Sequence, residues 1–442
     1  MEKENDIGIV LIIAIGLTTT LGSGIWFDPI GWVNTSNIMS LITLFITWLL
    51  FLCAGLAYAE CISMFPKAGG NYSYVKGAFG KKIGRITGYL FLIGYCIAGA
   101  IITYFSVNYT LAAFNIAATI GNKILLAFIY ILIFAIILGY SSSKHFGYII
   151  LSWVGIKLLT IIIVITIGFT KWESSILSSF ENYEELQTTI NLTIWSMLGV
   201  ESMLVFSGKT KKTEKKLPMG LLLVILIVFV VYVLFTTMLA GIIPKNSIDS
   251  SLSKNAILTL FASFLGVSPK ILFIFSAFSS AGTAFSMFGV SIFQMKFLTE
   301  DNALPNIFEK ELKNFKIYST PIFLGISTLI TLILILTEQY SMVFPNFATL
   351  SVALILLAVL LPAGLIGIYL RIKFPTLHRP FKSPLYFIVF PLAFILCLYM
   401  LVINFLPIGL LWPGVVSLGL ITLTLFLAVF LFSKDQKKIK EK

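Results

Sequence analysis

The sequence predicts an all-α integral membrane protein with about twelve transmembrane helices, and three observations predict it. Of its 442 residues 58% are hydrophobic and only 11% charged, whereas soluble domains carry about a quarter of their residues as charges. The mean hydropathy of +0.99 holds over the whole length and leaves no room for a sizeable aqueous domain. Apolar runs of roughly 20 residues recur along the chain, each long enough to cross a bilayer as a helix. This balance excludes secreted enzymes, nucleic-acid binders and disordered scaffolds.

The first run, 7–27, is long and follows acidic residues, so it reads as a retained span rather than a cleavable signal peptide. Further spans follow at 39–63, 84–110, 123–140, 147–169, 190–207, 217–242, 270–297, 320–337, 345–370, 384–405 and 411–432. The stretch from Ser251 to Leu265 is apolar but short and Ser-rich, which suits an interfacial helix. No low-complexity linker divides the chain, so 1–433 reads as a single membrane domain with a basic tail at 434–442. Cys53, Cys61, Cys96 and Cys397 all fall in apolar runs without a paired spacing, and His145 and His378 lie far apart. Neither a disulfide framework nor a metal site is expected, and no cofactor.

A net charge of +12 raises the question of nucleic acid, and the position of the charges answers it. When the connections are assigned alternately, one side holds only Lys123, Lys171, Lys245, Lys254 and Lys270. Lys157 lies within a span, and every other Lys and Arg falls on the opposite side. The positive-inside rule then places both termini in the cytoplasm of a cell-membrane protein. Basic loops of this kind face anionic lipid rather than nucleic acid.

Two spans carry matching flaws. The string Gly22-Ser23-Gly24, preceded by Thr18, Thr19 and Thr20, interrupts the first run, and glycine costs about 1 kcal/mol in a helix interior. The sixth run holds Trp195-Ser196-Met197-Leu198-Gly199-Val200-Glu201-Ser202, with a glycine and a carboxylate near its centre. Breaks in the first span of each successive five-span half predict two inverted five-helix repeats, 7–169 and 190–370, followed by two further helices in 384–432. Unwound backbone offers amides to an anion at a half-helix N-terminus and carbonyls to a cation at a C-terminus. An amino acid zwitterion fits both. Its carboxylate would meet the amides around Ser23, Gly24 and Ile25 beside Gly22, and its ammonium the carbonyls near Thr20, Trp195 and Leu198, with Ser196 and Gly199 adjoining.

These residues also carry a resemblance. GSGIW at 22–26, AGLAYAECISMFPKAGGNYSYVKGAFG at 54–80, GIKLL at 155–159, IWSMLGVES with the following Lys-rich loop and Pro218, DNALPNIF at 301–308 and HRPFKSP at 378–384 occur in order. Together they resemble the amino acid-polyamine-organocation permease superfamily through most of the chain. The resemblance implies a LeuT-type fold, a substrate held between the first, third, sixth and eighth spans, and alternating access. It also implies that the glycine-rich break binds the substrate carboxylate and that an aromatic such as Trp195 closes over the substrate. The WSxxGVES string is most similar to basic amino acid and polyamine exchangers.

A charge at the depth of Lys157 costs about 2.5–3.5 kcal/mol, so the lysine is expected to face a polar cavity. There it acts as a fixed cation in place of sodium or as a proton carrier, with hydrogen bonds to first-span carbonyls as the structural alternative. Glu201 is expected either to satisfy unwound amides or to carry a proton. Glu60, beside Tyr58, is expected to pair with basic loops. The pocket walls are uncharged: Cys96, Ala98, Gly99 and Ala100 on the third span, and Ser279 to Met287, including Thr283, on the eighth. A cationic substrate side chain favours an acidic or aromatic partner, so a neutral amino acid is expected ahead of a basic one or a polyamine.

Ser207-Gly208-Lys209-Thr210 is not a phosphate-binding loop, because Met203 stands where the loop needs glycine. An intramembrane enzyme would need polar catalytic pairs at one depth, and the spans hold none. A non-transporting sensor of the same fold is the remaining competitor, with only Ser433 to Lys442 beyond the last span to pass a signal. The expected function is a proton-coupled amino acid permease, with an exchanger as the alternative.

Overall fold

The computed structural model describes residues 7–405 apart from 66–68, 179–184, 186–188, 191–192, 209–212, 250–252, 313–314, 317 and 339–342. The expected twelfth span at 411–432 and the tail at 434–442 lie outside the described residues. The first apolar run forms two helices, α1 (Ile9–Thr20) and α2 (Gly24–Ser36), and α2 runs nine residues past the expected boundary at Phe27. A 3-10 turn, Asn37–Met39, leads into α3 (Ser40–Met64). Next come α4 (Gly70–Phe79), α5 (Lys81–Ala113), α6 (Ile120–Tyr140) and α7 (Ser143–Phe169).

From Ile194 to Phe206 the sixth apolar run is not α-helical. This stretch holds two 3-10 pieces, Ile194–Ser196 and Val200–Phe206, on either side of a turn. Beyond it lie α8 (Thr213–Ala240), α9 (Lys254–Leu265) at the place expected for an interfacial helix, and α10 (Pro269–Glu300). A small antiparallel hairpin pairs Glu311–Leu312 with Phe315–Lys316 before α11 (Ser319–Leu336). The tenth run is α12 (Val343–Ile355) and α13 (Leu361–Lys373), joined through a π-helical turn at Leu356–Leu360, and α14 (Tyr386–Phe405) follows.

Among the described residues, eight helical stretches are long and apolar enough to cross a membrane. Ile9–Thr20 and Ile194–Phe206 are not among them, each being shorter than a bilayer is thick, while α2 is continuous with α3 in the stretch Gly24–Met64. Burial ranks the helices: 83% of the apolar window of α5 and 78% of that of α10 are buried, against 33% for α6 and α7. α5 and α10 pack along each other at the centre, while α6 and α7 turn Ile133, Ile136, Ile156 and Ile163 outward. In a bilayer that outward face meets lipid.

Charged side chains tie the helix ends together. Glu60 at the end of α3, 1% exposed, accepts two 2.7 Å bonds from Arg371 of α13, one of 3.1 Å from Arg379 and one of 2.8 Å from the Ser383 amide. Asp301 after α10 accepts from Tyr72 and Lys76 of α4, and Arg85 of α5 donates to the Asn302 carbonyl at 2.7 Å. The helix α4 occupies sequence expected only as a connection between spans. Tyr58 and Asn71 donate to carbonyls of the π-helical turn, Val359 at 2.6 Å and Ala358 at 2.9 Å.

Candidate functional site

The break in the first span has local causes. The Thr19 and Thr20 hydroxyls donate back to the Ile15 and Gly16 carbonyls at 2.7 and 2.8 Å, a pattern that bends helices. The Gly22 amide then turns tightly onto the Thr20 carbonyl at 3.0 Å. α2 restarts at Gly24, where the Ser23 side chain makes no capping bond and the Trp26 amide turns onto the Ser23 carbonyl at 3.1 Å, so its start keeps the partial positive charge of a helix N-terminus.

The carbonyls on the other side of the break are taken. Lys157 of α7 is fully buried, and its Nζ donates to the Thr18 carbonyl at 2.9 Å, the Leu21 carbonyl at 2.7 Å and Thr283 Oγ1 at 2.7 Å. Three acceptors match the three protons of an ammonium, which offsets the cost of placing the charge there. Thr283 Oγ1 donates onward to the Thr18 carbonyl at 2.6 Å, and Ser279 Oγ donates to the Gly22 carbonyl at 3.0 Å. Ser286 Oγ shares a 2.6 Å hydrogen bond with Thr19 Oγ1. The hydroxyl row of α10 therefore lies against the break.

The sixth-span break meets the first backbone to backbone. Gly199 has φ +118°, a conformation that favours glycine, and a Cβ there would stand 2.7 Å from the Thr19 carbonyl carbon and 2.8 Å from the Thr20 amide nitrogen. Glu201, 4% exposed, accepts from the Gly199 amide at 2.9 Å through Oε2 and from the Tyr95 hydroxyl at 2.9 Å through Oε1. Its carboxylate satisfies an unwound amide, one of the two roles expected for it. The Ile194–Ser196 turn lies against α2, with Trp195 half-buried, and Ser196 Oγ donates to the Thr193 carbonyl at 2.6 Å.

The structure thus gathers Thr20, Gly22, Ser23, Gly24, Gly199, Lys157, Glu201 and Thr283 around the crossing, with Ile25, Leu198 and Met287 buried on the same elements. Cys96 and Gly99 face other partners. The Cys96 thiol lies 3.0 Å from Ser327 Oγ of α11, and Gly99 sits against the Phe288 ring where α5 and α10 approach closely. Sequence reasoning missed Tyr95, whose hydroxyl meets Glu201 only across the fold. It also missed Asp28, which lies one turn into α2 with Oδ2 2.6 Å from where a Gly24 Cβ would be. The i to i+4 spacing from Gly24 was the available clue, hidden because the apolar run ends at Phe27.

Residues 7–433 match the family model described as amino acid permease. This chain belongs to the amino acid permease family. The permease is 25% identical over 257 residues to the putrescine transporter PotE of Haemophilus influenzae, covering 56% of this chain and 58% of that one. It is 26% identical over 296 residues to the serine/threonine exchanger SteT of Bacillus subtilis, covering 65% and 64%. With PotE of Escherichia coli K12 it shares 24% over 255 residues, covering 56% and 58%. The chain thus spans less than two thirds of the length of the curated relatives it matches. With its apolar helices, the permease is an integral membrane protein of a transporter family.

Proposed function

We propose that the permease carries an amino acid across the cytoplasmic membrane by alternating access, in one membrane domain of about twelve spans with both termini cytoplasmic. Residues 7–169 and 190–370 form the inverted repeats, 384–432 the two added helices and 434–442 a basic tail. The observation that carries this is the crossing of two helix breaks at Gly199, with a Cβ position 2.7 Å from the Thr19 backbone. The substrate carboxylate binds the amides of Ser23, Gly24 and Ile25, and the ammonium meets carbonyls near Thr20, Trp195 and Leu198. Gly22, Ser196 and Met287 shape the surrounding walls, and Trp195 covers the substrate.

Lys157 supplies an ammonium at the carbonyl end of the break, as a fixed cation or as a proton carrier, and its three hydrogen bonds support its charged form there. With Glu201 it links the cycle to protons. The uncharged walls on α5 and α10 favour a neutral amino acid. Exchange is the second reading, and it is favoured by relatives whose names are those of a serine/threonine exchanger and of putrescine transporters.

Uptake of labelled serine, leucine, lysine and putrescine into proteoliposomes without sodium tests these readings. Accumulation of a neutral amino acid driven by an inward proton gradient is expected. Uptake only into preloaded vesicles assigns exchange, and saturable binding without any uptake overturns the carrier in favour of a sensor.

A further inference from the structure

Lys254, the first residue of α9, places its Nζ 3.8 Å from the centroid of the Phe105 ring on α5 and 4.3 Å from that of Phe27 on α2. Both are cation–π distances. Asp28 follows Phe27, and its carboxylate and the Lys254 ammonium attract each other. Tyr109 and Tyr232 lie close enough to feel the same carboxylate, and the Tyr109 ring stacks on Phe105 with centroids 6.1 Å apart. Asp28 Oδ2 folds back toward Gly24, so the carboxylate stands over the start of α2. A carboxylate flanked by aromatic faces is the chemistry that recognises an organic ammonium. Here the ammonium within it belongs to the chain itself.

We infer that Lys254 is a tethered counter-ion filling a cation subsite made by Asp28, Phe27 and Phe105, and that its presence excludes substrates carrying a second positive charge. The inference rests on the proposed substrate site at Gly24 and names what sets its selectivity. A diamine or basic amino acid must displace Lys254 and leave that ammonium without its aromatic and acidic partners. A neutral amino acid leaves it in place, with α9 still joined to α2 and α5. A neutral preference then comes from occupancy of an acidic aromatic cage rather than from the lack of one.

Competition binding on the detergent-solubilised full chain tests this, with labelled serine displaced by unlabelled putrescine or lysine. Lys254→Gln is expected to lower the putrescine concentration for half-displacement by about tenfold or more, with serine affinity changed less than about threefold. Lys254→Met, which keeps the apolar stem against the rings, is expected to act alike, and adding Asp28→Asn to Lys254→Gln to remove the gain. Unchanged putrescine competition in both Lys254 variants overturns the inference, leaving Lys254 as a pin for α9. So does a gain that survives in the double variant. Should serine not bind the wild-type chain, the proposed substrate fails separately, and the subsite is read by thermal shift with putrescine. Stabilisation of Lys254→Gln but not of the wild type supports the subsite, and equal shifts refute it.

Discussion

At Gly199 two requirements coincide: a left-handed backbone and the passage of the Thr19–Thr20 backbone within van der Waals contact. Gly199→Ala is therefore expected to cost about 1–3 kcal/mol and to pull the two breaks apart, seen as a lowered unfolding temperature together with lost substrate binding. Gly24→Leu meets the Asp28 carboxylate at the start of α2. It should abolish uptake while the protein stays folded, and uptake at the wild-type level would falsify the carboxylate site. Lys157→Ala removes the ammonium donor from the Thr18 and Leu21 carbonyls, which keep the hydroxyls of Thr283 and Ser279, so the loss expected is that of a hydrogen bond to a charged group, about 1.5–3 kcal/mol. If the pH dependence of uptake survives in that variant, Lys157 has no part in proton coupling.

Among the elements, the sequence strings that carry the family resemblance turn out to bind one another. Tyr72 and Lys76 of the 54–80 string hold Asp301 of DNALPNIF, and Glu60 of the same string holds Arg379 and the Ser383 amide of HRPFKSP. Immediately before GSGIW, the Thr18 and Leu21 carbonyls receive Lys157 of GIKLL, and the Thr19–Thr20 backbone crosses Gly199 of IWSMLGVES. Glu60→Gln should cost about 3–5 kcal/mol, because Arg379 stays buried without its counter-charge, and the loss is measurable as thermal stability in detergent.

Lys316 of the hairpin makes a different contact. Its Nζ caps the end of α6 through the Leu138 and Ser141 carbonyls at 3.1 and 2.5 Å. Burial first of all, and then Lys296, push its pKa down from 10.5 to about 8, against the opposing pull of Glu311. Between pH 8 and 10.5 the unfolded chain thus holds more protons at this position, so stability gains from it as pH rises through that window. The gain should be absent from Lys316→Gln in a pH series of unfolding temperatures.

For the whole molecule, the charge asymmetry and the burial gradient serve different ends. On the proposed orientation, with the basic side cytoplasmic, epitopes at residue 1 and residue 442 are both expected to be inaccessible in sealed right-side-out vesicles and reached after permeabilisation. The gradient from buried α5 and α10 to lipid-facing α6 and α7 separates a central pair from an outer one. Hydropathy located the long spans well, α3, α5 and α10 within three residues of their expected limits at either end, because an unbroken apolar helix shows both its length and its ends in composition alone. It also marked where two spans would fail, since glycine and carboxylate in an apolar run have only a local meaning.

Membrane character, span positions and the sites of both breaks were thus determined by the sequence itself, through hydropathy and backbone entropy, which depend on neighbours along the chain. Tertiary structure decided what the breaks touch. Lys157, Thr283 and Ser279 converge on one set of carbonyls, Tyr95 reaches Glu201, and Lys254 enters the aromatic pair beside Asp28 from positions far apart in sequence. Helix packing alone brings such residues within hydrogen-bonding distance, and no periodicity along the chain encodes which of them will meet.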